Sequence, residues 1–398
     1  MSVSTDPGHF FQTDASEAKS ARRAAKRGNQ NGSPIDIGSK LLAVLPDPTN
    51  PDRIYIAESG GLARRVSLES GDKNHTFRGH TAPVTSLALD TAAATLFAGS
   101  WDKSIISWST STRKPLKTFN GHTDFVKSLL YLANSTNGLL LSGASDASII
   151  IWDAVSGDRL FSLSGHTRGI GVLVADPVMS TRETARVHSA GSEPGMRCWE
   201  VPVEAADVRK ARGVGGVMVV HETSVNAVRF EGEDAEMWTA SADMTAKRVD
   251  VRGEDGKGRT DEEGNAVVRV DTVLEHPDYV NDIVVDPRGR WAVTACRDEE
   301  VRVWDVATGE LFHIYDGHSE DVMALAIVGS RQDMVASVSI DGTIRRWSLR
   351  HDDLLKAIEE KKEREQGKEK EKVEEKGESL LTIEEERELA ELMEEDDE

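Results

Sequence analysis

Tryptophan recurs at a regular interval along the middle of this chain, and that interval constrains the fold more than any other feature. Five tryptophans each end a short apolar run, and a valine holds the same place in two weaker copies: Val66, Trp108, Trp152, Trp199, Val249, Trp304 and Trp347. Six copies also carry a histidine shortly before an apolar run: His80, His122, His166, His221, His276 and His318. Self-similarity at a period of roughly 20–50 residues indicates a repeat architecture.

Each copy contains four short apolar runs. Between His122 and Leu163 the runs are 125–132, 138–142, 149–152 and 160–163, separated by Asn, Gly, Ser and Asp. This pattern predicts a four-stranded antiparallel meander. One such unit cannot bury both of its faces, whereas a ring of units buries each sheet against its neighbours and removes long free edges. We therefore predict an all-β domain over residues 34–351.

The pattern resembles the Trp-Asp (WD) repeat family. Trp152-Asp153 and Trp304-Asp305 carry the full dipeptide, and Gly-His pairs keep step with them. The resemblance covers about four fifths of the chain and implies a seven-bladed β-propeller of four-stranded antiparallel blades. We expect Pro34–Gly38, rather than Leu354–Ile358, to supply the last strand and close the ring.

The resemblance also implies a buried hydrogen-bond chain of His, Ser or Thr, Asp and Trp in each blade. Three copies match it fully: His122, Ser142, Asp146 and Trp152; His276, Thr294, Asp298 and Trp304; His318, Ser337, Asp341 and Trp347. Other copies depart, with Ala98 for the Ser, Glu193 for the Asp and Val249 for the Trp, and the first copy has none of the set. A buried Asp needs donors and a buried indole N–H needs an acceptor, so these sets are interpreted as structural.

These residue types also occur in hydrolase triads, but a triad needs one exposed nucleophile, and a set that recurs with a Trp indicates scaffolding. The two cysteines, Cys198 and Cys296, have no near partner, and no His-x-His or His-Glu-x-x-His motif occurs. We expect no catalytic residue, no metal and no cofactor.

Binding is expected on the rim formed by the turns between second and third strands and the starts of first strands, which is the top face in family usage. Trp101 precedes a turn Asp where sibling copies have Ser145, Ser192 or Ala242. Phe125 and Tyr279 begin first strands, and Arg297 holds the place of Trp101 in a later copy. Exposed aromatics and Arg are enriched at binding hot spots. The alternative is that each side chain packs on its own loop.

Two insertions, 202–216 and 253–266, follow third strands and should project from the opposite, bottom rim. The first contains the basic stretch Arg209–Arg212. Each is either a second contact surface or a disordered decoration.

The ends differ from the ring. We expect residues 1–33 to form a flexible basic segment of net charge +2, with a helix-forming stretch at 15–27, and residues 352–379 to form a Glu/Lys-rich helical linker. Residues 380–398 carry an acidic helix motif with a partial apolar stripe, Ile383, Leu389, Leu392 and Met393, suited to a partner's groove. The formal net charge is −21, of which −12 lies in 352–398. This acidity favours partners with basic surfaces and makes nucleic acid an improbable direct partner.

The sequence thus predicts a non-enzymatic scaffold or adaptor that assembles a protein complex through the propeller rim and the C-terminal helix. One alternative is a substrate receptor of a cullin-type ubiquitin ligase, since Asp250-Val251-Arg252 resembles the end of the motif of such receptors, with Val249 in place of its Trp. Another is a dedicated chaperone for a basic ribosomal or histone protein. No apolar run reaches the roughly 18 residues of a membrane helix, and no secretory signal is visible, so we expect the cytoplasm, the nucleus or both.

Overall fold

The computed structural model describes residues 14–134, 137–231, 236–251, 259–260 and 266–363. Those up to Leu349 form one unit, and a second unit begins at Arg350. The first unit contains seven antiparallel sheets of four strands, arranged as the blades of a propeller, so the predicted blade count and all-β class are confirmed. Within a blade the strands are a to d, from the central channel outward.

The first four blades follow one another along the chain. Blade 1 consists of β2 (Leu41–Pro46), β3 (Arg53–Glu58), β4 (Leu62–Ser67) and β5 (His75–Phe77). Blade 2 consists of β6 (Val84–Asp90), β7 (Thr95–Ser100), β8 (Ser104–Ser109) and β9 (Pro115–Asn120). Blade 3 consists of β10 (Val126–Leu132), β11 (Leu139–Ala144), β12 (Ile149–Asp153) and β13 (Arg159–Leu163). Blade 4 consists of β14 (Ile170–Asp176), β15 (Thr184–Gly191), β16 (Gly195–Pro202) and β17 (Arg212–Val219).

The last three blades include an inserted hairpin and the closing strand. Blade 5 consists of β18 (Val225–Glu231), β19 (Glu236–Ser241), β20 (Thr245–Asp250) and β23 (Arg269–Glu275), with the hairpin β21 (Arg259–Thr260) and β22 (Ala266–Val267) between its c and d strands. Blade 6 consists of β24 (Val280–Val285), β25 (Trp291–Cys296), β26 (Glu300–Asp305) and β27 (Leu311–Asp316). Blade 7 consists of β28 (Val322–Val328), β29 (Met334–Ser339), β30 (Thr343–Ser348) and β1 (Ile35–Asp36).

The N-terminal segment closes the ring, as the sequence predicts. Strand β1 pairs antiparallel with β30, with Ile35 opposite Ile344. One apolar cluster then joins the first and last blades, with Leu41 and Ile56 from blade 1 packed among Val338 and Ile344 from blade 7. Because closure couples chain segments about 300 residues apart, every sheet is buried between two neighbours.

The remaining elements lie at the ends and in one insertion. Helix α1 (Asp14–Lys26) precedes β1 within the N-terminal segment that we expect to be flexible. In the 202–216 insertion a 3₁₀ helix, η1 (Ala205–Lys210), buries Val208 in the apolar cluster of blades 3 and 4, so this insertion is an ordered element. In the second unit, residues 351–363 form helix α2. Within the described chain, no helix is both long and apolar enough to cross a bilayer.

Candidate partner-binding surface on the top rim

The hydrogen-bond chain predicted from the resemblance fixes the top-rim turns. In blade 3 the indole Nε1–H of Trp152 donates to Ser142 Oγ (2.8 Å), and the Ser142 hydroxyl lies 2.7 Å from His122 Nε2. His122 Nδ1 lies 3.0 Å from the carboxylate of Asp146, which also accepts the backbone N–H of Thr123 (2.9 Å). Every polar group in this hydrogen-bond chain has a partner when the imidazole proton of His122 is on Nδ1.

Burial and hydrogen bonding set the charge states of His122 and Asp146. Burial lowers the pKa of His122, although the charge of Asp146 opposes that effect, so the ring stays neutral near pH 7. Burial would raise the pKa of Asp146, but hydrogen bonds from Ser148 and the Thr123 backbone outweigh it and lower the pKa to about 2. The neutral His122 and the ionised Asp146 therefore link the strands and the turn of blade 3, and they do not form a site with an accessible nucleophile.

Blade 7 repeats the arrangement with the predicted residues. Trp347 Nε1–H donates to Ser337 Oγ (2.8 Å), which lies 2.7 Å from His318 Nε2. His318 Nδ1 lies 2.9 Å from Asp341. Three departing copies form partial versions: His80 contacts Asp102 (2.8 Å) without a Ser, His166 contacts Glu193 in place of an Asp, and His221 contacts Asp243 (2.8 Å) without a Trp.

Blade 6 corrects the prediction for one residue. Thr294 Oγ1 joins Trp304 and His276 as expected, but His276 Nδ1 donates to the carbonyl of Leu274 (3.0 Å) instead of to Asp298. The carboxylate of Asp298 pairs with Arg302 (3.1 and 2.6 Å).

The reason for this departure lies in the residue after the histidine. In the other His-bearing blades that residue donates its backbone N–H to the turn carboxylate, as Thr123 does in blade 3 and Ser319 in blade 7 (3.0 Å). Pro277 has no N–H to donate. Asp298 therefore turns to the guanidinium of Arg302.

Blade 1, which lacks the set, has an ion pair between its second and third strands. The side chain of Glu58 is almost completely buried and lies 2.6 Å from Arg64 Nε. The guanidinium also donates to the carbonyl of Lys73 (3.0 Å).

The four predicted rim residues form two separate pairs. Trp101 from the turn of blade 2 stacks on Phe125 at the start of blade 3, with ring centroids 5.2 Å apart and planes at 20°. Both remain exposed, at 41% and 39%. Within blade 6, Arg297 lies over the ring of Tyr279, 5.1 Å from its centroid.

Ring geometry explains the pairing and the separation. The backbone N–H of Arg297 bonds to the carbonyl of Tyr279 (2.9 Å), as that of Trp101 does to Pro83 (3.0 Å), so the turn lies beside the first strand of its own blade. Two blades lie between the pairs in either direction around the ring. The structure therefore places all four residues on the top rim without joining them into one patch.

The predicted C-terminal binding residues, Ile383, Leu389, Leu392 and Met393, lie outside the described residues, as does most of the 253–266 insertion. Their binding roles stay predictions. Among the described residues, no group of three His, Cys, Asp or Glu side chains is arranged to hold a metal ion.

Sequence reasoning missed a charged network in the central channel, a cavity of about 610 Å³ lined by the a strands. Arg229 of blade 5 pairs with Asp282 of blade 6 (2.9 Å), and Asp282 accepts the backbone N–H of Leu325 in blade 7 (2.9 Å). Glu231 accepts the N–H of Val285 (2.7 Å), and burial raises the pKa of Glu231 to about 7. These contacts tie three blades together. No local sequence pattern predicts these contacts, because the partner residues lie in different repeats.

Comparison with known proteins agrees with this architecture. The family profile described as WD domain, G-beta repeat matches residues 71–109, 113–153, 268–305 and 309–348. An uncharacterized WD repeat-containing protein of Schizosaccharomyces pombe is 33% identical over 359 residues, which cover 87% of this chain and 90% of that protein.

Two further relatives match shorter regions. Cilia- and flagella-associated protein 52 of Mus musculus is 27% identical over 201 residues, covering 43% of this chain and 31% of that protein. The human tRNA (guanine-N(7)-)-methyltransferase non-catalytic subunit WDR4 is 36% identical over 78 residues, covering 19% of each.

Proposed function

The chain belongs to the WD-repeat family, and on that premise we propose that it is a non-enzymatic scaffold that recruits a partner protein through its top rim. The observation that carries the proposal is the exposed stack of Trp101 on Phe125. Two aromatic rings from different blades form one apolar platform, held by the turn of blade 2 and the first strand of blade 3.

Neither ring is needed to complete a core. Sibling turns carry Ser145, Ser192 or Ala242 at the position of Trp101 and have the same backbone bond to the start of their blade. A stacked pair of rings loses little side-chain freedom on binding, which favours aromatic anchors in interfaces. The platform therefore fits an apolar or aromatic side chain of a partner protein.

The finer parts of the proposal concern the partner and its location. The net charge of −21 favours a partner with a basic surface. The acidic residues 380–398 would supply a second contact, so that two partners meet on one chain. A chaperone for a basic protein is the alternative that this acidity also favours, and for either role we propose the cytoplasm or the nucleus as the location.

The test uses Trp101→Ser, because Ser145 shows that the turn accepts serine. Affinity purification of the full chain with quantitative mass spectrometry should show a partner that the variant retains about 30-fold less, since a hot-spot side chain is worth about 2 kcal/mol. The matched control is Leu116→Ala, which removes an exposed apolar side chain from the outer strand β9. If Trp101→Ser and Leu116→Ala retain the same set of proteins, the platform is not the binding surface.

A further inference from the structure

Helix α1 presses basic side chains against the top rim of blades 6 and 7. The ion pairs are Arg22–Glu299, Arg23–Glu299, Arg23–Asp321, Lys26–Glu299 and Lys26–Asp316, with N to O distances of 3.0, 2.8, 2.8, 3.5 and 2.9 Å. Arg22 also donates to the backbone carbonyl of Asp298 (2.9 Å). We call the three carboxylates, Glu299, Asp316 and Asp321, the acidic socket.

Glu299 differs from its counterparts in the complete burial of its side chain. It lies in the turn of blade 6 with φ +77°, a left-handed conformation that Lys103, Ala147, Met244 and Gly342 share at the same place in blades 2, 3, 5 and 7. A non-glycine residue there carries backbone strain of about 1 kcal/mol or more. Its side chain is also fully buried, and a buried carboxylate is costly unless cations neutralise it. All of its ion-pair partners in the described chain come from α1.

The attachment of α1 to the rim is almost entirely electrostatic. Ala21, Ala24 and Ala25 are exposed, so no apolar side chain in this part of the helix anchors it. Arg22 remains about half exposed even in its ion pair. Arg23 and Asp316 are also 28% and 46% exposed, so these ion pairs reach solvent on one side although Glu299 itself is buried, and pairs open to solvent contribute little each and weaken with salt. This helix is therefore far easier to lift off than the strands of the ring.

The segment after α1 is attached differently. The carbonyl of Gly32 accepts the backbone N–H of Arg346 (2.8 Å), and Arg345, which is buried, donates to the carbonyl of Asn29 (2.9 Å). Strand β1 follows and closes blade 7. Gly28, with φ +84°, lies between the ion-paired helix α1 and the segment that is held by hydrogen bonds to its backbone. The helix can therefore leave the rim while the strap from Asn29 to β1 keeps the ring closed.

We propose that α1 is a detachable cis occupant of the acidic socket, and that the socket takes a basic helical segment of a partner protein once α1 leaves. This deepens the proposed function, since it names the chemistry of a partner for a second part of the same rim. The seated helix shows what the site accepts: cations at positions i, i+1 and i+4 of one helix, with small residues between them. Its release would also leave Asp321 to Arg297, which lies 3.6 Å from that carboxylate and shares it with Arg23 while α1 is seated.

Tethering sets the size of the effect. A helix joined through a short linker faces its site at an effective concentration of about 1 mM. If the free helix binds with a dissociation constant of about 0.1 mM, the tethered one weakens a competitor about tenfold. The probe is a fluorescein-labelled peptide of residues 12–28 with blocked ends, titrated by anisotropy up to millimolar protein.

The full-length chain is used throughout. In the released variant, Arg22→Ala, Arg23→Ala and Lys26→Ala empty the socket, and the peptide should bind it about tenfold more tightly than it binds the wild type. Adding Glu299→Gln to the released variant should abolish binding. Adding Glu222→Gln, which removes an equal charge from the top rim of blade 5, should not. Binding should fall steeply between 50 and 500 mM salt.

Hydrogen exchange of the α1 amides provides a second measurement in the full chain. Protection in the wild type should drop when Glu299 becomes Gln and stay unchanged with Glu222→Gln. Equal peptide affinity for the wild type and the released variant would overturn the cis occupancy. Failure to bind the released variant, or binding that survives Glu299→Gln, would overturn the socket. None of these outcomes touches the platform of Trp101, which Trp101→Ser tests separately.

Discussion

The difference between the hydrogen-bond chains of blades 6 and 7 predicts a measurable difference in side-chain coupling. In blade 7, His318 and Asp341 are both buried and lie 2.9 Å apart. In blade 6 the equivalent residues, His276 and Asp298, bond to other groups. Double-mutant cycles separate these cases, because each cycle isolates the interaction between two side chains.

The expected magnitude follows from the contacts. A hydrogen bond to a charged group contributes about 1.5–3 kcal/mol, so the cycle of His318→Ala and Asp341→Ala should give a coupling in that range. The cycle of His276→Ala and Asp298→Ala should give less than about 0.5 kcal/mol. A third cycle of Asp298→Ala with Arg302→Ala supplies the positive control within blade 6 and should again reach about 1.5–3 kcal/mol.

The single variants carry their own expectation. Asp341 also accepts the backbone N–H groups of Ser319 and Thr343 (3.0 and 2.8 Å), so Asp341→Ala should cost about 3–5 kcal/mol. Asp298→Ala should cost about 1–3 kcal/mol, since Arg302 keeps Glu300 as a partner at 2.7 Å.

The measurement is urea unfolding at pH 7.5, followed by circular dichroism, with equal m values across each set of variants. Burial lowers the pKa of His276 and His318, so both are neutral at this pH and the couplings report hydrogen bonds rather than titration. If the cycle of His276 with Asp298 matched that of His318 with Asp341, the assignment of Asp298 to Arg302 would be refuted.

Two further perturbations test ring closure and buried charge. Gly32→Ala should destabilise the protein by about 2–4 kcal/mol, because the residue has φ +72° and a Cβ there would lie 2.7 Å from the ring of Trp347; Gly38→Ala, at φ +76° with no atom within 4 Å of the new Cβ, should cost only about 1 kcal/mol. Equal losses in urea unfolding would argue against close packing of the strap on Trp347. Burial lowers the pKa of His276 from 6.5 to about 4, so its contribution of about 3 kcal/mol is present above pH 6.5 and is lost as the pH falls toward 4. The free energy of unfolding should therefore decline over this window, and the decline should be smaller in His276→Gln. If the variant shows the same slope as the wild type, the imidazole of His276 is accessible to protons in the folded state.

The sequence was sufficient for the parts of the structure that repeat. The regular interval between Trp152, Trp304 and their counterparts predicted the number of blades, because each copy must bury the same face against a neighbour. The choice of Pro34–Gly38 as the closing segment was confirmed by the pairing of β1 with β30. One error had a visible cause, since Pro277 follows His276 in the printed sequence and cannot donate to Asp298.

Contacts between non-equivalent positions could not be predicted in this way. Arg22 and Glu299 are 277 residues apart, and no periodicity links a helix outside the ring to one turn within it. The same holds for Arg229 and Asp282 in the channel, which belong to different copies. The stack of Trp101 on Phe125 was partly predictable. Both residues depart from the repeat and could be picked out in the sequence, but their contact follows only from the closed propeller, in which the turn of one blade meets the start of the next.

The departures of blade 6 become intelligible together once α1 is in place. Arg302 takes the carboxylates of Asp298 and Glu300, at 2.6 and 2.7 Å. Glu299, between them in the chain, is left to the cations of α1, and the carbonyl of Asp298 accepts Arg22. The repeat is thus broken at Pro277, and the buried carboxylate of Glu299 has no counterpart in the turns of blades 2, 3 and 5. A basic residue at the place of Arg302 is common to other blades, as Lys247 and Arg345 show. Local departures from a fold's own pattern are expected where a site has another task. These two departures support the proposal that the socket of blades 6 and 7 takes a basic helix, whereas the regular hydrogen-bond chain of blade 3 serves stability.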